Sequence, residues 1–403
     1  GVEERKALKV EEREALKPTA TVTVTPKGVG KLRAGHPWVY RTDLRETEGA
    51  SAGFAHLADE RGKPLGTALY SPASEIRARW LAPAGVTVEA AWWRGMIRAS
   101  LERRAGITDT AYRVVHAEGD GLPSLMLDRY GDYAVAQLLS AGLEAVRGDV
   151  IDAIREVLAP KGLLLRNDAP VRERERLPRE TTVAFGQVPE RVEFVEGGLT
   201  FAAAPWTGQK TGAFLDQREN HALVRRHARG RCLDGFAYHG GFALHLAAGG
   251  ATDVTAIESS ADALRGLTEN AARNGITNVR GVEVNAFDWL KPEAASGARY
   301  DVIVLDPPAF AKDQRSLPRA IAGYKELNLR AMQLLAPGGH LFTASCSHHV
   351  HRGAFFAMLA DAAADSGRRL ALVEIRGASS DHPELITVPE TGYLKAALLR
   401  AVD

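Results

Sequence analysis

The sequence predicts an α/β protein of more than one domain, whose C-terminal half is a doubly wound, mainly parallel sheet. Three observations carry this. The chain has 403 residues, more than one hydrophobic core usually supports. From Gly208 onward, short strand candidates alternate with Ala/Leu-rich segments, the pattern of strands and crossover helices. One run, Tyr300-Asp-Val-Ile-Val-Leu-Asp306, is nearly all apolar and stops at Pro307-Pro308, as a strand buried on both faces does. A proline cannot donate to the ladder, and it pushes the preceding residue towards an extended conformation. Asp306 is therefore expected at the carboxyl end of a central strand, where open α/β sheets bind ligands.

Composition narrows the class. Apolar content of 45% and charged content of 25% are ordinary for a soluble globular protein. With a formal net charge of only +1, nucleic-acid binding would need local basic surface. The two cysteines, Cys232 and Cys346, form no CxxC pattern. This argues against a disulfide scaffold or zinc ribbon and fits a reducing cytosol. No apolar run of ~18 residues and no signal-peptide pattern occurs, so a cytoplasmic protein without a membrane partner is expected.

In chain order, residues 1–20 form a tail. Its charged near-repeat (Glu3 to Val10, Glu11 to Pro18) favours a solvated helix ended by Pro18. Residues 21–90 read as a small β-barrel-like domain: Thr/Val alternation at 21–26, then short strand candidates as far as Trp80, separated by polar turns. Lys27, Lys31, Arg33, Arg41, Arg77 and Arg79 interleave there with Trp38 and Tyr40. They suit a phosphate track with stacking aromatics, and equally a core with an ordinary solvated surface. Residues 91–190 read as an α+β unit of about a hundred residues. It has helices near 89–104 and 143–158, strands near 112–115, 122–127 and 133–139, and a solvated helix face at Arg172-Glu-Arg-Glu-Arg176. Residues 191–403 hold the chemistry, entered by a hairpin across Gly197-Gly198. Strands are expected at 232–234, 254–258, 279–284, 302–306, 340–344, 370–375 and 394–400.

The first of those strands enters Asp234-Gly235-Phe236-Ala-Tyr238-His239-Gly240-Gly241 and then a helix. Glycines here let backbone approach a ligand at a helix N-terminus. The spacing fails the dinucleotide fingerprint, and no Lys-Ser/Thr follows the last glycine as a P-loop needs. Gln209-Lys210-Thr211 resembles a P-loop end but lacks its glycine. An acid-glycine turn without phosphate-binding equipment suits S-adenosylmethionine. Glu258 ends the second strand, close to the ~20-residue distance at which an acid meets ribose hydroxyls in such folds. Asn285 ends the third, placed for an adenine edge with Ala286 and Phe287 beside the ring. Three such residues at successive strand ends point to a cofactor site.

Cys346 follows the 340–344 strand. A cysteine there is often an inert core residue, but this one shares a sheet and a rim with Asp306. A thiolate adding to cytosine carbon-6 turns carbon-5 into a nucleophile, and a carboxyl near ring nitrogen-3 stabilises the adduct. That role requires a thiol pKa lowered by the site. Cys346 with His348, His349 and His351 matches no metal spacing, and no metal is expected.

At these residues the chain resembles the bacterial 23S rRNA cytosine-carbon-5 methyltransferases of the RlmI type. The likeness runs through His36-Pro-Trp-Val-Tyr40, Ser71-Pro-Ala-Ser-Glu-Ile-Arg-Ala-Arg79, Glu118-Gly-Asp-Gly-Leu-Pro123 and Gly208-Gln-Lys-Thr-Gly-Ala-Phe-Leu-Asp-Gln-Arg218. It continues in Tyr238-His-Gly-Gly-Phe242, Asp306-Pro-Pro, Gly323-Tyr-Lys325, Ser345-Cys-Ser347, Asp381-His-Pro383 and Tyr393-Leu-Lys395. The resemblance implies a PUA RNA-binding β-barrel, a central α+β domain and a class I (Rossmann-like) methyltransferase domain. It implies Cys346 as covalent nucleophile with Asp306 as partner, and a cap over S-adenosylmethionine from Lys210, Thr211, Phe214 and Arg218. Lys31, Arg33, Trp38, Arg77, Pro307 and Pro308 become candidates for RNA contact. The partners implied are 23S rRNA or a large-subunit precursor, and a second copy of the chain in a homodimer. Many members carry lysine where this chain has Ala309, and threonine where it has His239. Two other readings stay open: methylation at a base nitrogen, which Asp-Pro-Pro-Phe also serves, and a non-catalytic RNA-binding assembly factor.

Overall fold

The computed structural model describes residues 20–45 and 49–403 of the chain; the tail helix expected before Pro18 lies outside the described residues. The chain divides into two compact units. One takes the described residues up to Gly106, with Val114–Leu127 and Ala134–Val188; the other takes Ile107–Arg113, Asp128–Tyr133 and Pro189–Asp403.

The first unit opens with β1 (Thr21–Val24), helix α1 (Pro26–Arg33), β2 (Trp38–Tyr40), β3 (Gly53–Asp59), β4 (Pro64–Tyr70) and β5 (Ile76–Ala82). These strands form one sheet in the order β1-β3-β4-β5-β2, around a core of Val22, Val24, Val39, Leu57 and Ala68. Helix α1 is not legible from its sequence, because Gly28 and Gly30 are poor helix formers. It forms because Pro26 presets its first turn, Thr25 caps Gly28 N (3.3 Å), and Gly28 packs where a Cβ would lie 2.6 Å from Val24 Cγ1.

There follow α2 (Ala90–Glu102), β6 (Ala111–His116), β7 (Leu125–Tyr130), β8 (Tyr133–Leu138), α3 (Ala141–Glu144), α4 (Arg147–Leu158), β9 (Gly162–Asn167), α5 (Val171–Arg174) and β10 (Glu180–Gly186). The second sheet runs β10-β9-β8-β7-β6. Two charge assignments need correction here. The run at 172–176 is solvated only in part: Glu173, Arg174 and Arg176 are exposed, but Arg172 is fully buried, donating to Leu138 O (2.5 Å), Pro178 O (2.9 Å) and Glu144 (3.0 Å). Arg79 is not a surface cation either. It is buried and pairs with the equally buried Glu175 at 3.3 Å, as a buried guanidinium must.

The second unit carries the hairpin β11 (Val192–Glu196) and β12 (Leu199–Ala203), turning at Gly197-Gly198, both at positive φ. Then come α6 (Arg218–His227), β13 (Gly230–Asp234), α7 (Gly241–Ala248), β14 (Ala251–Glu258), α8 (Ala261–Arg273), β15 (Val279–Glu283), α9 (Ala286–Ala295) and β16 (Tyr300–Leu305). The chain ends with α10 (Leu317–Leu334), β17 (Leu335–Ser345), α11 (Arg352–Ser366), β18 (Leu370–Arg376) and β19 (Lys395–Ala401). All seven expected strands are present, in the order β15-β14-β13-β16-β17-β19-β18. Neighbours from β15 to β17 are parallel, and β19 runs antiparallel between β17 and β18. The order reverses between β13 and β16, which opens a crevice at their carboxyl ends. Tyr300, Ile303, Leu305, Tyr324 and Phe355 fill the core beside these strands.

No helix among the described residues is long and apolar enough to cross a membrane.

Candidate active site

A cavity of about 630 Å³ opens at that crevice, wholly within the second unit. Its lining includes Lys210, Phe214, Gly235, Phe236, Tyr238, Gly241, Glu258, Asn285, Ala286, Asp306, Pro307, Pro308 and Cys346. Register explains the convergence: Asp234 pairs with Ala256 and Val304, and Leu305 with Thr343. Glu258, Asp306 and Cys346 therefore all emerge at one rim.

Four anticipated cofactor residues stand behind the lining. Gly240 starts α7 at φ 92°, a left-handed turn that suits glycine. Asp234 is buried below the loop, its Oδ1 accepting from Phe236 N (3.3 Å); burial pushes its carboxyl up to about 7. Thr211 donates to Asp128 Oδ2 (2.6 Å) and meets Tyr130 Oη at 2.8 Å. Tyr130 Oη also accepts from Ala213 N (3.2 Å), so these buried groups fix the loop that carries Lys210. Arg218 pairs with Asp381 (3.3 Å) and Asp109 (3.5 Å).

The residues at the first end of the cavity fit S-adenosylmethionine. Glu258 accepts from Tyr238 N (2.8 Å) and Ser260 N (3.0 Å), which orients its carboxylate with lone pairs left for ribose hydroxyls. Asn285 caps α9 through Phe287 N (2.9 Å), leaving its amide NH₂ for an adenine edge. Phe287 beside it is 38% exposed, an uncovered ring next to Phe310 (5.8 Å between centroids).

The other end holds Asp306 and Cys346. Tyr324 ties their two loops together: its Oη accepts from Phe310 N (3.4 Å) and meets Ser347 Oγ at 2.6 Å, while Ser347 Oγ accepts from Ala311 N (3.3 Å). Cys346 Sγ lies 3.9 Å from Pro307 O. Burial, and then the charge of Asp216, push the Asp306 carboxyl up to about 6. Burial, and then Asp306, push the Cys346 thiol up to about 11. This reverses the expectation of a lowered thiol pKa: Lys210 and Lys395 pull it down, but desolvation and the nearby acids outweigh them.

Sequence reasoning missed several groups here. Asp216 is buried, ion-paired with Lys210 and accepting from Tyr393 Oη (2.6 Å). Against the cost of burial, Lys210 holds its carboxyl well below the usual range. Lys395 sits opposite Ser345 in register, donates to Ser347 O (2.6 Å) and Tyr393 O (2.7 Å), and is pushed by burial down to about 8. Glu196 Oε2 lies 2.8 Å from both His221 Nδ1 and His245 Nε2. The signal for Glu196 was present: in Val192-Glu-Phe-Val-Glu196, strand alternation puts it on the apolar face, where an acid needs partners. The three side chains have a metal-site donor set. Yet both 2.8 Å contacts are ordinary hydrogen bonds, and buried His245 Nδ1 has no acceptor, which a metal-bound imidazole requires. They are better described as a hydrogen-bonded trio.

Of the anticipated RNA contacts in the first unit, Arg33 is exposed. Lys31 pairs with Asp43 (2.7 Å) and lies 5.0 Å from the Tyr40 ring centre. Trp38 Nε1 donates to Glu118 (3.1 Å), and Arg77 donates to Pro72 O.

Comparison with known proteins bears on these features. A PUA-like domain model matches residues 22–83, and an S-adenosylmethionine-dependent methyltransferase model matches residues 171–400. The chain is 36% identical over 378 residues to the ribosomal RNA large subunit methyltransferase I of Aeromonas hydrophila, covering 91% of this chain and 95% of that protein. Identity to the protein of that name from Klebsiella pneumoniae is 35% over 391 residues, covering 94% and 98%. A Streptococcus mutans structure described as a SAM-dependent methyltransferase superposes with a TM-score of 0.79 at 20% identity, covering 94% of this chain and 100% of that one. A methyltransferase solved in complex with SAH gives 0.80, with the same identity and coverage. At that identity the structural likeness is one of fold.

Proposed function

Because the chain belongs to the S-adenosylmethionine-dependent methyltransferase family, we propose that it methylates carbon-5 of a cytosine in 23S rRNA through a covalent bond from Cys346. The relatives named as ribosomal RNA large subunit methyltransferases support the substrate class. The observation that carries the carbon-5 reading is the pairing of Cys346 with Asp306 on one rim of the cofactor cavity.

Each residue has a task in this scheme. Glu258 and Asn285 would hold the adenosine, and the Gly235–Gly241 loop would admit the methionyl end. The bound cofactor supplies an electrophilic methyl on a cationic sulfur, and that charge favours the Cys346 thiolate. Cys346 thiolate adds to carbon-6, and carbon-5 then takes the methyl. Loss of the carbon-5 proton and expulsion of the thiolate restore the ring and free Cys346. Asp306, with its carboxyl raised to about 6, shares a proton with ring nitrogen-3 during the addition. The base must leave its stack to reach this rim, where Pro307, Pro308 and Phe310 would flank it. Lys31, Arg33, Trp38 and Arg77 of the PUA-like domain would contact the RNA elsewhere. Action in the cytoplasm on rRNA or a large-subunit precursor, and a homodimeric state, belong to the same proposal.

The test is trapping. RNA containing 5-fluorocytosine should accumulate a denaturation-stable adduct with the wild-type protein and none with Cys346→Ala, whose affinity for S-adenosylhomocysteine should stay within twofold. Full methylation by Cys346→Ala would instead favour chemistry at a base nitrogen.

A further inference from the structure

The cofactor cavity is lined by the basic side chains of Lys210 and His221. His239, the other histidine there, is pushed by burial down to about 4. Lys210 is committed to Asp216. His221 commits only Nδ1, to Glu196. The residue is 6% exposed, and Nε2 has no hydrogen-bond partner among the described residues.

That free nitrogen stands at a particular place. A Cβ on Gly241 would come within 2.8 Å of His221 Nε2, so the glycine lets the imidazole reach the first turn of α7. No side chain caps this helix, and its leading amides are left for a ligand. An uncapped helix start and an unpartnered imidazole nitrogen thus converge on one point of the cavity wall. The cofactor has one anionic group, the carboxylate of its methionyl part; its amino and sulfonium groups are cationic and suit the acids at the strand ends. We propose that His221 Nε2, with the first turn of α7, receives that carboxylate, making His221 a residue that reads the amino-acid half of S-adenosylmethionine.

The groups facing His221 agree with this assignment. Glu196 approaches from β11, His245 from α7, and Asp234 and Asp306 from the ends of β13 and β16. Burial disfavours the charged ring, but Glu196 first, then Asp306 and Asp234, raise its pKa above the ordinary histidine value. With Nδ1–H fixed on Glu196, protonation places the second proton on Nε2, where a carboxylate can accept it. His245 shares Glu196 Oε2 and keeps that oxygen in place.

The assignment rests on the cofactor reading, and the test separates the two. Calorimetric titration would compare wild type and His221→Gln with S-adenosylhomocysteine and with 5′-methylthioadenosine, which lacks the amino-acid carboxylate. The variant should lose roughly ten- to thirty-fold in affinity for the first and stay within twofold for the second. The wild type's advantage should shrink as pH rises through the raised pKa of His221. Equal loss for both ligands, or no loss for either, overturns the assignment. A wild type that binds neither ligand overturns the cofactor reading as well.

Discussion

Alkylation of Cys346 tests the electrostatics of the reactive rim directly. Burial and then Asp306 hold its thiol at about 11, so the thiolate fraction at pH 7 is ~1 in 10,000, against about 3 in 100 for a free cysteine of pKa ~8.5. Iodoacetamide at pH 7 should therefore modify Cys346 about two orders of magnitude more slowly than a free thiol. Asp306, at about 6, is mostly ionised at that pH, so Asp306→Asn removes a real negative charge. If it accounts for about one pK unit, the reaction should quicken roughly tenfold, with burial retaining the rest. S-adenosylmethionine, a cation, should also accelerate the reaction, whereas uncharged-sulfur S-adenosylhomocysteine should not. Peptide mass spectrometry separates Cys346 from the fully buried Cys232. A wild-type rate equal to that of free cysteine, or a rate indifferent to Asp306→Asn, would refute this account.

Two further outcomes follow from buried contacts. Thr211→Val keeps volume but removes the hydroxyl joining Asp128 and Tyr130; urea unfolding should show a loss of about 2–4 kcal/mol, with weaker S-adenosylhomocysteine binding because the Lys210 loop is no longer anchored. Glu196→Gln should cost roughly 2–4 kcal/mol with a defined pH dependence. The folded pKa of His221 lies above its unfolded value, so that contribution is complete below ~6.5 and is lost as pH rises through the folded pKa. The gap between wild type and variant should therefore narrow in alkali, and a gap that widens there would contradict the pairing.

Much of the catalytic half was legible because its determinants are local. Most strands of the large sheet are short apolar runs, and Asp234, Glu258, Asn285 and Asp306 sit at or just beyond the ends of four of them. The sheet order then brings them to one rim without further information. What sequence did not convey is nonlocal. Helix α1 depends on Gly28 tucking against Val24, which outweighs two unfavourable glycines. Arg79 and Arg172 look like surface charge until Glu175 and Glu144 are placed beside them. The Cys346 thiol was expected to be acidic because its chemistry asks for a thiolate; burial and the acids around it decide otherwise in the resting protein. Glu196, His221 and His245 come from three separate elements, and alternation could have pointed only to the first.

The reversal of strand order between β13 and β16 has a consequence for how such a protein can change. In the proposed scheme, strands β14 and β15, on one side of the crevice, carry the handles for adenosine, and β16 and β17, on the other, carry the groups that meet the base. In that scheme, replacing Ala309 or reshaping the loop around Phe310 would alter what is methylated without touching Glu258 or Asn285. Selection could thus explore new target nucleotides while the methyl donor stays constant, and a lineage of enzymes could diverge along one edge of an unchanged cofactor site.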